Sequence, residues 1–250
     1  MAWWIELVFF IMWLRLYGLL LWIAALCLFG CLFFVFVGVG ALNDVIRVVG
    51  GFGPRRLWPW RGRSDPWGVF VAELLLIQTD AAKASLVYED FLRRFPTPCS
   101  VLDASQGEVE ELLRPLGLYR QRAVRLRRAA EYIRDRFNCR MPCSYGELKE
   151  IPGIGDYIAA AVAIIACGES VPILDTNIAR VLSRAILGKD PPRRYMYDEE
   201  LWKLSRQVRW DKHLLYSIID FASEVCTARK PKCKQCPIKN MCKYHAGKGK

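Results

Sequence analysis

"LKEIPGIGDYIAAAV" (Leu148–Val162) decides the fold. Leu148–Glu150 closes one short helix, and Pro152 cannot continue it. Gly153 and Gly155 flank a single apolar residue, Ile154, and can adopt positive φ. A small-residue run follows, so the next helix begins at about Asp156. The arrangement is a helix–hairpin–helix. Gly153 and Gly155 leave backbone N–H groups bare at a helix start, so the turn around Ile154 forms a seat for a phosphate oxygen, which grips a DNA backbone without reading sequence. An ordinary glycine turn between packed helices would use the same residues. Tyr157 stands two residues past the second glycine, at the mouth of the helix.

Outward from the hairpin, every segment after Asn43 reads as helix. "PWGVFVAELLLIQTDAAKASLVYEDFLRRF" (Pro66–Phe95) has apolar residues at helical spacing, with Pro66 suited to a first turn. "YRQRAVRLRRAAEYIRDRF" (Tyr119–Phe137) is amphipathic, and its arginines, including Arg120, Arg122, Arg125 and Arg128, read as a solvated basic face. "NIARVLSRAIL" is a further helix. No alternating β-branched run lies between turn signals, so the body is expected to be all-α.

The 250-residue chain carries 36 Lys+Arg against 25 Asp+Glu, a net charge of +11 that favours a polyanionic partner, nucleic acid before a membrane surface. The segment from Leu16 to Leu42 is a separate object: 27 residues without a charge. As a helix it would span roughly 40 Å, more than the hydrocarbon core of a bilayer needs. It is too long for a cleavable signal peptide. Two readings stand side by side: a membrane anchor with the body held in the cytoplasm by the positive-inside rule, or a start placed too early. A nucleoid-associated cytoplasmic protein is the expectation in the second case.

Two carboxylates stand out. Asp175 immediately precedes a helix, where the macrodipole is expected to keep it ionised. Glu73 lies inside "VFVAELLLIQT", where burial should raise its pKa and let it hold a proton near neutrality. Each also has a purely structural reading, as a helix cap or as the buried partner of a distant arginine. Ten cysteines are present in a chain too long and too apolar for a secreted disulfide scaffold. Cys226, Cys233, Cys236 and Cys242, spaced C-x6-C-x2-C-x5-C, read as a zinc or iron–sulfur site. Cys99, Cys139, Cys143 and Cys167 read as buried thiols, or as a disulfide in a thermophile.

The ordered set "WPWRGRSDPWGVFVAELLLIQT", "LGLYRQRAVRLRRAA", "LKEIPGIGDYIAAAVAIIACGESVPILDTNIARVLSR" and the four terminal cysteines resembles the endonuclease III superfamily of base-excision DNA glycosylases, over roughly residues 44–244. The resemblance implies a six-helix barrel lobe containing the hairpin (60–170) and a [4Fe–4S] cluster lobe (43–59 and 171–244). DNA and the active site would lie between them, beyond an extra N-terminal apolar segment (1–42) and before a basic tail (245–250). It implies that Cys226, Cys233, Cys236 and Cys242 hold the cluster, with Arg229 and Lys230 in a loop laid against phosphates. Bifunctional members place a Schiff-base lysine where this chain has Tyr157, and adenine-excising members usually place a serine. A tyrosine resembles the archaeal G·T-mismatch thymine-DNA glycosylases.

The implied activity is monofunctional hydrolysis of thymine or uracil from mispairs with guanine in double-stranded DNA, by a monomer. Asp175 would be at its centre, with Glu73 and Tyr157 beside it. Gln78 and Leu118 sit where relatives push side chains into the gap left by the flipped base. Ile77 and Gln78 are closer to the adenine-type "QQT", which keeps excision of adenine opposite guanine or 8-oxoguanine as an alternative. The 8-oxoguanine-reading domain usual in those relatives is expected to be absent, which weighs against that alternative. A membrane-tethered, non-catalytic DNA-binding module is the third reading, against which the retention of both carboxylates argues.

Overall fold

Most helix starts among the described residues are set by side chains that precede them, α6 and α8 being exceptions. In the computed structural model, which describes residues 40–247, Asp65 caps α2 (Pro66–Leu76) by accepting from the Gly68 N–H. Asp80 caps α3 (Ala81–Arg94), and Thr97 and Ser105 make reciprocal capping boxes on α4 (Pro98–Asp103) and α5 (Gln106–Leu113). Ser144 caps α7 (Tyr145–Glu150) and Asp175 caps α9 (Thr176–Leu182). Asp198 and Asp211 do the same for α10 (Glu199–Arg206) and α11 (Lys212–Glu224). Each such cap is worth about 1 kcal/mol. Helix α6 (Tyr119–Phe137) ends at Asn138 in the left-handed region, and α8 (Asp156–Cys167) ends at Gly168 with φ 68°. Residues 40–52 form α1, and Lys243–Gly247 forms α12. The described residues are all-α, without a strand.

Two compact units divide the chain, Met1–Asp44 and Val45–Lys250. Apart from residues 40–42, the apolar run of residues 16–42 lies outside the described residues. Among the described residues no helix is long and apolar enough to cross a membrane.

Within the second unit, α2 packs against α8, whose Ala159, Ala160, Ala161 and Ala163 are fully or almost fully buried and permit close approach. Helix α6 packs on α4 and α5, and α9 packs on α11. Phe70, Tyr88, Phe91, Phe95, Leu113 and Leu126 fill the core around α2, α3 and α6. Buried polar atoms there are partnered: Trp67 Nε1 donates to the Phe95 carbonyl and the Tyr88 hydroxyl to the Gly68 carbonyl, each at 3.0 Å.

The structure departs from the sequence reading in three places. Pro66–Phe95 is two helices, broken at residues 77–80, where Gln78 takes φ 52° and Asp80 restarts the chain as a cap. "NIARVLSRAIL" begins as α9 and widens into a π-helical turn over Ser183–Leu187, which rotates Arg184 toward the cysteine loop. Arg122 is buried rather than solvated. Of the two readings of the remaining cysteines, buried thiols or disulfide, the structure takes the second: Cys99–Cys139 and Cys143–Cys167 are disulfides, the latter closing the outer ends of α7 and α8 across the hairpin.

Candidate active site and cluster centre

Glu73, Tyr157 and Asp175 come from three different elements and meet in one cleft of about 370 Å3. Glu73 is on α2, Tyr157 is in the first turn of α8, and Asp175 is the N-cap of α9. The cleft is also walled by Trp60, Arg61, Ile158, Asn177 and Tyr216. Asp175 Oδ1 accepts from the backbone N–H of Asn177 at 2.9 Å and of Ile178 at 2.6 Å, and Oδ2 accepts from Asn177 Nδ2 at 2.9 Å. Those bonds favour the carboxylate. Burial outweighs them, so the Asp175 pKa lies above its ordinary value, contrary to the expectation from the helix dipole alone.

Glu73 is pushed up to about 7, first by burial and then by the negative charge of Asp175. The Tyr157 hydroxyl and the positive charge of Arg61 act in the opposite direction and lose. The rise from 4.5 corresponds to about 3 kcal/mol against the charged form. Tyr157, half-buried and desolvated beside both carboxylates, is held well above the ordinary phenol value and is neutral at any physiological pH.

A pair that the sequence reading missed supports this floor. Asp220 on α11 is fully buried, and Arg61 meets it with two N–H groups at 3.0 and 2.8 Å. The same carboxylate accepts from the backbone N–H of Arg55 and Arg56, so it pins the whole segment before α2. The Arg61 guanidinium lies over the Tyr216 ring at 4.3 Å. Asp220 had the same signal as Glu73, a carboxylate inside an apolar run, "YSIIDFA".

The hairpin lies apart from this cleft. Gly153 has φ 85°, whereas Gly155 is extended at φ −86° as the residue preceding α8, so only the first glycine uses the left-handed region. A Cβ on Gly153 would come within 2.6 Å of Arg125 Cγ, so the absence of a side chain lets that arginine lie across the turn. Ile154 is buried under the hairpin. Gln78 and Leu118 are exposed, line no part of the cleft, and both have positive φ, 52° and 50°. Arg229 and Lys230 are exposed in the loop after Cys226.

Residues 71–207 match the model of the HhH-GPD superfamily base excision DNA repair proteins, and residues 226–242 match the iron–sulfur binding domain of endonuclease III. The chain belongs to the HhH-GPD superfamily of base-excision DNA repair proteins. A thymine-DNA glycosylase of Aeropyrum pernix is 43% identical over 192 residues, covering 75% of this chain and 86% of that relative. A thymine/uracil-DNA glycosylase of Pyrobaculum aerophilum is 40% identical over 209 residues, covering 81% and 90%. The fold matches the structure of a thermostable thymine-DNA glycosylase with TM-score 0.76 and 26% identity, over 83% of this chain and 98% of that one. This HhH-GPD chain is therefore a DNA glycosylase, with the superfamily's two helical lobes and DNA as its partner.

It carries a [4Fe–4S] cluster, and the residues present fit one. Cys226, Cys233, Cys236 and Cys242 are free thiols lining one apolar pocket with Val181, Ala185 and Ile238. Burial raises the Cys226 thiol, and Arg184 opposes that rise with an N–H 3.7 Å from its sulfur. Arg184 also donates to the Thr227 and Ala228 carbonyls. Arg180 donates to the Cys226 carbonyl at 2.7 Å and to Asn177 Oδ1 at 2.8 Å. A continuous chain of hydrogen bonds thus runs from the first cluster cysteine through Arg180 and Asn177 to Asp175.

Proposed function

We propose that the enzyme excises thymine or uracil mispaired with guanine from double-stranded DNA, as a monomer, by hydrolysis alone. The observation that carries this reading is Tyr157. It occupies the place where a lyase would need an amine, and its phenol, desolvated and beside the negative charge of Glu73, stays protonated. A phenol forms no Schiff base, so the strand is left intact at an abasic site.

The chemistry follows from the cleft. The target nucleotide is extruded from the duplex and seated beside Glu73, Tyr157 and Asp175. The N-glycosidic bond breaks with its electron pair leaving on the base, and the sugar gains oxocarbenium character. Asp175, oriented by Asn177 and the head of α9, faces that charge and takes a proton from the water that adds to the anomeric carbon. Glu73, protonated up to about pH 7, supplies a proton to the departing base. Gly153 and Gly155 would hold a backbone phosphate, while Ile154, whose N–H already donates to the Ile151 carbonyl at 3.0 Å, anchors the turn from below, and Arg229 and Lys230 would meet phosphates from the cluster loop. The cluster, when bound, knits that loop into shape. A cleft completed within one chain supports the monomer.

A second reading is kept alive by one observation: a protonated glutamic acid is also what departure of adenine requires. Labelled duplexes bearing G·T, G·U, A·8-oxoguanine and A·G, treated with and without hot alkali, separate the two. Strand breaks at G·T or G·U only after alkali, reduced by about 1000-fold in Asp175→Asn, are expected. Cutting confined to the adenine duplexes would overturn the substrate assignment.

A further inference from the structure

Arg122 is 5% exposed, and among the described residues no carboxylate pairs with it. Its five N–H groups are nevertheless all matched. Nε donates to the Gly117 carbonyl at 3.1 Å. Nη1 donates to the Leu74 and Leu75 carbonyls at 2.6 and 3.2 Å, and Nη2 to the Ile77 carbonyl and to Thr79 Oγ1 at 2.5 and 2.6 Å. Four of those acceptors belong to the end of α2 and the 77–79 loop. The fifth belongs to the turn before α6. Thr79 Oγ1 also lies 3.5 Å from the Leu116 carbonyl, so the two segments touch at the clamp itself.

Each tied segment presents one exposed, non-glycine residue in the left-handed region: Gln78 on one and Leu118 on the other. That conformation costs energy for such residues and persists where surrounding contacts over-determine it. Arg122 supplies those contacts on both sides at once. A lysine could not: its three donors radiate from one nitrogen and cannot span acceptors on two segments.

We propose that Arg122 is a positioning residue that locks Gln78 and Leu118 into one rigid, two-pronged wedge for the gap left by the extruded nucleotide. The inference rests on the reading of Gln78 and Leu118 as DNA-facing, and the experiment separates the two. A duplex with a G·U mispair and 2-aminopurine next to the uracil is mixed with wild type, Arg122→Lys, Thr79→Val, the Gln78→Ala/Leu118→Ala pair, and the pair combined with Arg122→Lys. Extrusion is read by fluorescence and excision by single-turnover rate across pH. Arg122→Lys is expected to lower extrusion and excision together by about tenfold and Thr79→Val by about threefold, with the pH profile unmoved. Added to the wedge pair, Arg122→Lys should cost less than about twofold more. Extrusion within about twofold of wild type in both clamp variants, while the wedge pair abolishes it, would overturn the clamp alone. So would effects of clamp and wedge that simply multiply. Extrusion undisturbed in the wedge pair would overturn the reading of Gln78 and Leu118, and the clamp with it. Should Arg122→Lys fail to fold, Thr79→Val, which removes one acceptor and keeps the guanidinium, decides between these outcomes.

Discussion

Four cysteines serve the hairpin side of the molecule and four serve the C-terminal loop, in opposite chemical states. Around the hairpin, Cys99–Cys139 and Cys143–Cys167 are oxidised pairs, separated by 40 and 24 residues and brought together at the ends of packed helices. In the loop, Cys226, Cys233, Cys236 and Cys242 form no disulfide and line the cluster's pocket. Between Cys226 and Cys242 the backbone offers only a short 3₁₀ turn, Cys233–Gln235, and Ile238 alone among the loop's side chains is fully buried. The difference is one of what else is available. Helices α2 to α8 already have an apolar core, and the disulfides restrict a chain that would fold toward the same contacts. The loop has almost no core, so its shape depends on the cluster.

The comparison is broken most severely by removing the cluster. Cys236→Ser is expected to abolish the cluster's visible absorption and lower DNA affinity by at least about 100-fold, while circular dichroism retains the helices of the hairpin side. Loss of all helical signal would mean that the two regions do not fold by separate means. Next in size, replacing either disulfide pair by alanines should cost about 3–4 kcal/mol, as expected for closed loops of 40 and 24 residues. Thermal unfolding reads this directly, and the cluster's absorption should be unchanged.

Glu73 sharpens the contrast within the cleft. Because its folded-state pKa is raised to about 7, the stability it contributes is present below its ordinary value and is lost as pH rises through about 7. Glu73→Gln should therefore be more stable than wild type above pH 7 by up to about 3 kcal/mol, read as a higher unfolding temperature, and similarly stable in acid. Excision by wild type should decline above the same pH, and that decline should vanish in the variant. The smallest effect concerns the hydrogen-bonded chain joining the two regions. Arg180→Ala, which disconnects Cys226 from Asn177, should slow excision by about tenfold with the cluster's absorption intact.

Much of this was legible along the chain because its signals are local. Proline and glycine at 152–155 mark the hairpin, a carboxylate before a helix marks Asp175, and a carboxylate in an apolar run marks Glu73. Tyr157 was legible only through family resemblance. Arg61 and Asp220, by contrast, are 159 residues apart, and nothing periodic announces a pair at that distance. Arg122 sits in a helix whose arginines all look alike in sequence, and only the meeting of two turns buries this one. The disulfide pairings, likewise, are set by where helix ends meet. Local chemistry names candidates, and tertiary contacts assign partners.

The account stands or falls on a tyrosine in the place of a lysine. The direct measurement is borohydride treatment during turnover of a G·T duplex, followed by denaturing electrophoresis. The expected result is an abasic product with no protein–DNA adduct and no strand break before alkali. A trapped covalent adduct would contradict it, because it would require an amine nucleophile that neither Tyr157 nor the carboxylates around it can provide.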